Sequence, residues 1–212
     1  MIDGGAKIEI KLPYALFPFE KEQWERAVEN VKETGVTTFL CTNVGYFSAL
    51  SQGGCKLRGD YDLNVFNETA LSVAASLGAV SQTLSFELML SKIRDMKKCI
   101  PTEIFIYGKL PLMLLSAPLW RGSEKEKTFT DRKGERFFAL KRNESRTEVF
   151  NGKVLWLLDK KEELKKSGVD TVRLYFANEG AAQVAETIRA WKDGASPKDD
   201  NFTRGLYFRG VD

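Results

Sequence analysis

Gly59-Asp60-Tyr61-Asp62-Leu63-Asn64-Val65-Phe66-Asn67 decides the reading of this chain. Two carboxylates and two carboxamides interrupt a run that otherwise has strand character. The residues before it, from Lys56, are suited to a strand, and Asn67 is suited to cap a helix over 68–77. The polar run therefore stands where a strand ends and a helix begins. In barrels and doubly wound sheets, that is where ligands bind.

Working outward, the same unit recurs. Residues 7–12 alternate apolar and charged side chains and read as a strand. Residues 20–34 carry apolar side chains at helical spacing and stop at Gly35, a favoured helix-ending position. A strand is expected at 36–41, a short helix at 45–51, a strand at 56–64, a strand at 79–85, a helix at 86–98 and a strand at 103–107. The order is β-α-β-α-β-α-β-α-β, with the period of parallel βα units. The fold class is therefore α/β: parallel βα units forming a partial (β/α) barrel or an open sheet, followed by a small α+β region. Five strands are too few for a complete eight-stranded barrel.

After Leu115 the texture changes. Residues 128–140 read as a hairpin turning on Asp131-Arg132-Lys133-Gly134. Residues 146–150 are a further candidate strand, 160–167 a helix and 169–176 a strand. Residues 181–191 form an amphipathic helix with Val184, Ile188 and Trp191 facing inward, and 203–211 are strand-like. The expected organisation is a partial-barrel region over 1–118 and an appended α/β region, with hairpin and C-terminal strand, over 119–212.

Composition narrows the function. The 212 residues are 43% hydrophobic, enough to bury a core. Thirty-two basic residues against 29 acidic ones give a net charge of +3, which makes no electrostatic case for nucleic acid as a partner. No apolar run approaches the roughly 18–20 residues of a membrane span. No basic-then-apolar leader opens the sequence, so a cytoplasmic location is expected. Histidine is absent, which excludes Ser-His-Asp triads and histidine zinc sites within this chain. The three cysteines, Cys41, Cys55 and Cys99, share no C-x-x-C spacing and read as reduced thiols.

The candidate pocket residues are Asn43, Asp60, Asp62, Asn64, Glu87 and Lys109, each placed at or just after a strand end. Asp60, Asp62 and Asn64, spaced by two, would share one strand face. They face two roles: substrate contact or acid–base work on one hand, and turn chemistry on the other, with Asp60 paired to Arg58 or Lys109. Glu87 stands in the same position, either in the pocket or in the first turn of a helix capped by Ser85. Ser48, Ser51 and Ser85 have no base within the sequence pattern, so a catalytic nucleophile and base are not identified.

At residues 59–67 the sequence resembles the "GDFGLNVFN" signature of peptidase family U32, the collagenase-like peptidases of unknown catalytic type. Thr83-Leu84-Ser85-Phe86-Glu87-Leu88 is similar to the family's "TLSPEL", and residues 103–113 (EIFIYGKLPLM) to its "EVFVHGRLPLM". Asp131-Arg132-Lys133-Gly134, residues 149–159 and the ending Arg204-Gly205-Leu206-Tyr207-Phe208-Arg209-Gly210-Val211 follow in family order. The resemblance runs from about Glu9 to Asp212. It implies the C-terminal portion of a barrel-like peptidase, inactive alone, acting on a peptide or protein. It also implies association through the open barrel side, as a homodimer or with the missing barrel half.

Many members carry four cysteines that hold an iron–sulfur cluster. Here Ala117 and Ser145 stand near two of those positions, residues 121–130 contain none, and Tyr107 replaces the family's histidine before Gly108. No cofactor and no metal site are expected, since hydroxyl and methyl groups do not ligate a cluster. Two other functions fit the same residues: a cluster-free relative of the family's RNA- or quinone-hydroxylating branches, and a non-catalytic binding or assembly module.

Overall fold

A computed structural model describes residues 6–143 and 146–209. Ser145, Gly210 and Val211, which enter the sequence resemblance, lie outside the described residues. In chain order the elements are β1 (Ile10–Lys11), α1 (Lys21–Glu33), β2 (Thr38–Cys41), α2 (Gly45–Leu50), β3 (Lys56–Gly59), α3 (Glu68–Ser76), β4 (Ala79–Thr83) and α4 (Leu90–Asp95). They continue with β5 (Thr102–Leu115), β6 (Glu126–Thr130), β7 (Arg136–Asn143), β8 (Arg146–Trp156), α5 (Lys161–Ser167), β9 (Thr171–Leu174), α6 (Ala181–Asp193) and β10 (Phe202–Thr203). The fold class is α/β, with its parallel βα units arranged as part of a barrel. No helix among the described residues is long and apolar enough to cross a membrane.

The chain divides into two compact units. The first comprises Met1–Ile104 with Lys166–Val172 and Leu206–Asp212, the second Phe105–Lys165 with Arg173–Gly205.

In the first unit, β1, β2, β3, β4 and the start of β5 pair in that order, all parallel. Alternation along each strand sorts side chains onto two faces. Ile10, Leu12, Phe39, Cys41, Leu57 and Ala79 pack with Val28 of α1, Tyr46, Phe47 and Leu50 of α2 and Ala74 of α3. The opposite face carries Glu9, Lys11, Arg58, Ser81, Thr83 and Glu103. A parallel sheet usually buries apolar side chains on both faces; here one face is ionic, and it leads to the site.

Several elements differ from the sequence reading. Strand β3 stops at Gly59, because residues 61–63 form a single 3-10 turn that ends at Asn64 in the left-handed region, φ 47°. Asn tolerates that conformation better than most side chains. The helix expected over 86–98 is confined to α4, Leu90–Asp95. At its front, Phe86-Glu87-Leu88 turns on Ser85, whose Oγ accepts from Glu87 N at 3.3 Å and whose carbonyl accepts from Leu88 N at 3.2 Å. At its end, Lys98 Nζ donates to Ile93 O at 2.6 Å and Met96 O at 3.4 Å, satisfying carbonyls that a longer helix would have used.

In the second unit, β5, β8, β7 and β6 form an antiparallel sheet in that order, with β10 parallel to β8. The expected strand over 103–107 is part of a much longer β5. It continues through Pro111, where the pairing with β8 shifts register on either side. A bulge is where a sheet tolerates a proline. The hairpin on Asp131–Gly134 is as expected: Asp131 Oδ1 accepts from Lys133 N at 2.8 Å and Glu135 N at 2.9 Å, and Gly134 takes φ 84°. Helix α6 departs in its buried stripe. Ile188 is 39% exposed and Thr187 is the buried residue, its Oγ1 donating back to Gln183 O. The tail forms strand only at Phe202–Thr203, and residues 205–209 turn.

Candidate functional site

The polar run at 59–67 sits at the end of β3, on the ionic face of the first unit. Asp60 is the last residue to join the sheet. Its N–H donates to Cys41 O on β2 at 2.8 Å, and its carbonyl accepts from Leu63 N at 3.2 Å, closing the turn. Its side chain is fully buried. The counter-charge comes from Lys11 on β1. Lys11 Nζ lies 2.9 Å from Asp60 Oδ2 and 2.7 Å from Asp62 Oδ2. The same ammonium sits 4.1 Å from the centre of the Tyr61 ring, a favourable cation–π contact. Tyr61 in turn packs on Phe86 with ring centres 5.7 Å apart. The Lys11 side chain remains 35% exposed and that of Asp62 10%, whereas Asp60 is sealed from solvent.

A second ionic row lies one residue pair earlier along the strands. Arg58 Nη2 lies 3.1 Å from Glu103 Oε2, its Nη1 contacts Glu9 and its Nε donates to Ser81 Oγ at 2.6 Å. Thr83 Oγ1 donates to the other oxygen of Glu103 at 2.9 Å. In each row a cation lies between two carboxylates: Lys11 of β1 with Asp60 and Asp62 beyond the end of β3, and Arg58 of β3 with Glu9 just before β1 and Glu103 of β5.

The joint between β3 and the turn requires a glycine. A Cβ at Gly59 would fall 1.7 Å from Oε1 of Gln82 on β4. Gln82 is fully buried, and its Nε2 donates to Asp60 O at 3.0 Å and Thr83 O at 2.7 Å.

Cys41 lies beside Asp60 with no exposed surface. Burial pushes its thiol up to about 12, and the neighbouring Asp60 adds to that effect. It is a neutral packing group at physiological pH and not a thiolate nucleophile. All three cysteines are free thiols. Among the described residues, no group of three His, Cys, Asp or Glu side chains is arranged to hold a metal ion.

The model of "Peptidase family U32" matches residues 3–197 of the 212-residue chain. The chain belongs to peptidase family U32. No curated protein and no solved structure matches it.

Of the positions that the U32 resemblance singles out, the structure brings Asp60 and Asp62 together, through Lys11. The shared strand face expected of Asp60, Asp62 and Asn64 is not formed, since the strand has ended before Tyr61; the turn delivers Asp62 to the ammonium instead. Asp60 pairs with Lys11, a partner that the sequence reading did not name. Asn43, Asn64 and Glu87 lie exposed on the connections that follow β2, β3 and β4. Asn43 Oδ1 accepts from Gly45 N at 2.8 Å and so starts α2. Lys109 does not follow a strand. It lies within β5 in the second unit, where its Nζ donates to Asn178 Oδ1 at 3.2 Å and sits 4.0 Å from the centre of the Phe138 ring.

Two residues of this U32 chain escaped the sequence reading. Lys11 was visible only as one charge in an alternating strand, and Gln82 as one amide in an unremarkable one. Both acquire their role from parallel register: Lys11 lies beside Leu40, Leu40 beside Arg58, and Gly59 beside Gln82. Tyr107, at the family's histidine position, is buried; burial raises its hydroxyl above the ordinary tyrosine range, against a hydrogen bond with Thr187 that lowers it. Gly108 after it takes φ 125°, with Tyr175 O only 2.1 Å from where a Cβ would stand.

Proposed function

We propose that this chain is the C-terminal portion of a U32 peptidase, and that Lys11, Asp60 and Asp62 form one wall of its peptide pocket. On this reading the wall binds and orients peptide, and the chain alone does not cleave it. The observation that carries the proposal is the Lys11 ammonium held between two carboxylates at the strand ends, on a side chain that is 35% exposed. An ammonium there donates to a peptide carbonyl. The outer carboxylate of Asp62 accepts from a peptide N–H or a cationic group.

The outer carboxylate supports a preference. Asp62 stands at the partly solvated edge of its row, whereas Asp60 is sealed. A peptide presenting a lysine, an arginine or a free amino terminus matches that outer carboxylate, and a phosphopeptide does not. The exposed amides of Asn43 and Asn64 and the carboxylate of Glu87 are proposed as rim contacts to the peptide backbone.

The lack of a cleaving apparatus follows from the residues. The chain contains no histidine. Its Cys41 thiol is neutral and sealed. Lys11 lies against two carboxylates with its side chain 35% exposed, unlike the desolvated setting in which a lysine activates a hydroxyl nucleophile. Digestion of a peptide library, followed by mass spectrometry, tests this. The chain is expected to leave the library intact. Cleavage by the wild-type chain that Asp60→Ala or Asp62→Ala abolishes would overturn the non-cleaving reading and make these carboxylates catalytic.

A further inference from the structure

The carboxylates of the wall project from a backbone joint that is itself held by a side chain. Gly59 is the last residue of β3 and Asp60 the first of the turn. Asp60 N–H is tied to β2 through Cys41 O, while Asp60 C=O accepts from Gln82 Nε2 as well as from Leu63 N. The amide orientation of Gln82 follows from its partners. Both groups within reach of one end, Asp60 O and Thr83 O, are carbonyl oxygens, so that end must be the NH₂. The other end, Oε1, lies over the Cα of Gly59 and has no hydrogen-bond partner among the described residues.

A buried amide oxygen without a partner is unfavourable, and an apolar side chain of the same length would fill the space without that penalty. What the amide does, and methionine cannot, is hold Asp60 O. Gly59 is the other half of the device, since any Cβ there displaces the amide. Gln82 is remote from Lys11 in sequence and lies on the helix-covered side of the sheet, paired with Gly59, so it acts on the wall only through the backbone.

We propose that Gln82 is the positioning residue of the Lys11–Asp60–Asp62 wall: its amide, seated against Gly59, fixes the joint from which both carboxylates reach the Lys11 ammonium. The functional meaning of that positioning rests on the peptide-pocket reading; the positioning itself does not.

The test is a pH titration of the Asp60 and Asp62 carboxyl carbons by NMR in wild type and in Gln82→Met, with folding checked by circular dichroism. Releasing the joint loosens the two carboxylates from the ammonium, so at least one titration midpoint is expected to rise by about half a pH unit or more. Gly59→Ala is expected to reproduce the shift. Combining it with Gln82→Ala, which removes the atom that the new Cβ meets, is expected to give less than the sum of the single effects. A purely structural role predicts a lower unfolding temperature with both midpoints unchanged, and that result would overturn the proposal. If Gln82→Met does not fold, Gln82→Leu, which likewise removes the amide without adding a charge, supplies the same comparison. A wild-type chain that binds no peptide would sink the pocket reading and leave this titration to be decided independently.

Discussion

Lys11 on β1 reaches over the intervening strand β2 to place its ammonium 2.9 Å from the buried carboxylate of Asp60. Neighbouring strands are separated by about 4.8 Å, so spanning two of them needs a long side chain. Arginine would reach as far but could not offer one compact charge to two carboxylates and an aromatic face together. The pair ties the first strand of the unit to the third and sets the charge of the site.

Removing the ammonium should therefore cost stability. Breaking a fully buried ion pair costs roughly 3–5 kcal/mol, and Lys11 is partly solvated, so Lys11→Met is expected to cost about 2–3 kcal/mol. Lys11→Met combined with Asp60→Asn should recover part of that loss, because the uncompensated buried charge is gone. Urea unfolding of the four members of this cycle gives the coupling, and strict additivity would show that the two groups do not interact.

The placement of the polar run at a strand end was legible in sequence, because strand-then-cap patterning is local and Asn67 does cap α3, its Oδ1 accepting from Ala70 N at 2.8 Å. The family was legible too, from motifs in order. What was hidden was partnership. Lys11 and Asp60 are brought together by parallel pairing of β1, β2 and β3, and no local window contains that register. The period of two misled for Asp62 and Asn64, since it assumes that the strand continues where Asp60 in fact opens a turn. The truncation of α4 was hidden for a related reason: Lys98 reads as one more helical residue, but its ammonium terminates the helix.

The cap supplies a second prediction. Asn67→Ala removes an acceptor that satisfies one of the four free N–H groups at the start of α3, and should cost about 1 kcal/mol in chemical unfolding. Asn67→Asp should be close to neutral, as aspartate accepts the same bond and favours the helix dipole.

A third concerns acid. In the second unit Asp159 is partly buried, which by itself raises its carboxyl. Hydrogen bonds from Arg204, one of 2.8 Å between Nη2 and Oδ2, together with a backbone hydrogen bond and the charges of Arg204 and Lys160, outweigh burial and hold it below the ordinary value of 3.8. A lowered folded value means that the stabilisation is present in full above 3.8 and is lost as pH falls through the lower folded value. Arg204 also donates to Trp156 O at 2.6 Å, so Arg204→Met should cost about 2 kcal/mol at neutral pH. The Asp159→Asn protein should show a shallower loss of stability below 3.8 than wild type.

The alkaline side has its own probe. Cys41 is raised to about 12 against an ordinary 9.0, so the unfolded chain ionises first and stability declines between those values. The slope from this one group approaches about 1.4 kcal/mol per pH unit within that window. Cys41→Ala should flatten the decline by that amount, at the cost of a small cavity. In the native protein a thiol reagent should label the exposed Cys99 first and reach Cys41 only on unfolding.

The central claim is that Lys11, Asp60 and Asp62 form a peptide-binding wall whose outer carboxylate, that of Asp62, receives a cationic group. The most direct measurement is calorimetric titration of the intact chain with a pool of lysine-containing peptides and a matched pool with glutamate in place of lysine, in wild type and in Asp62→Asn. The account predicts binding of the lysine pool, at least tenfold weaker binding of the glutamate pool, and a loss of about tenfold or more for Asp62→Asn, the equivalent of roughly 1.4 kcal/mol. Equal binding of the two pools, or full affinity in Asp62→Asn, would contradict it.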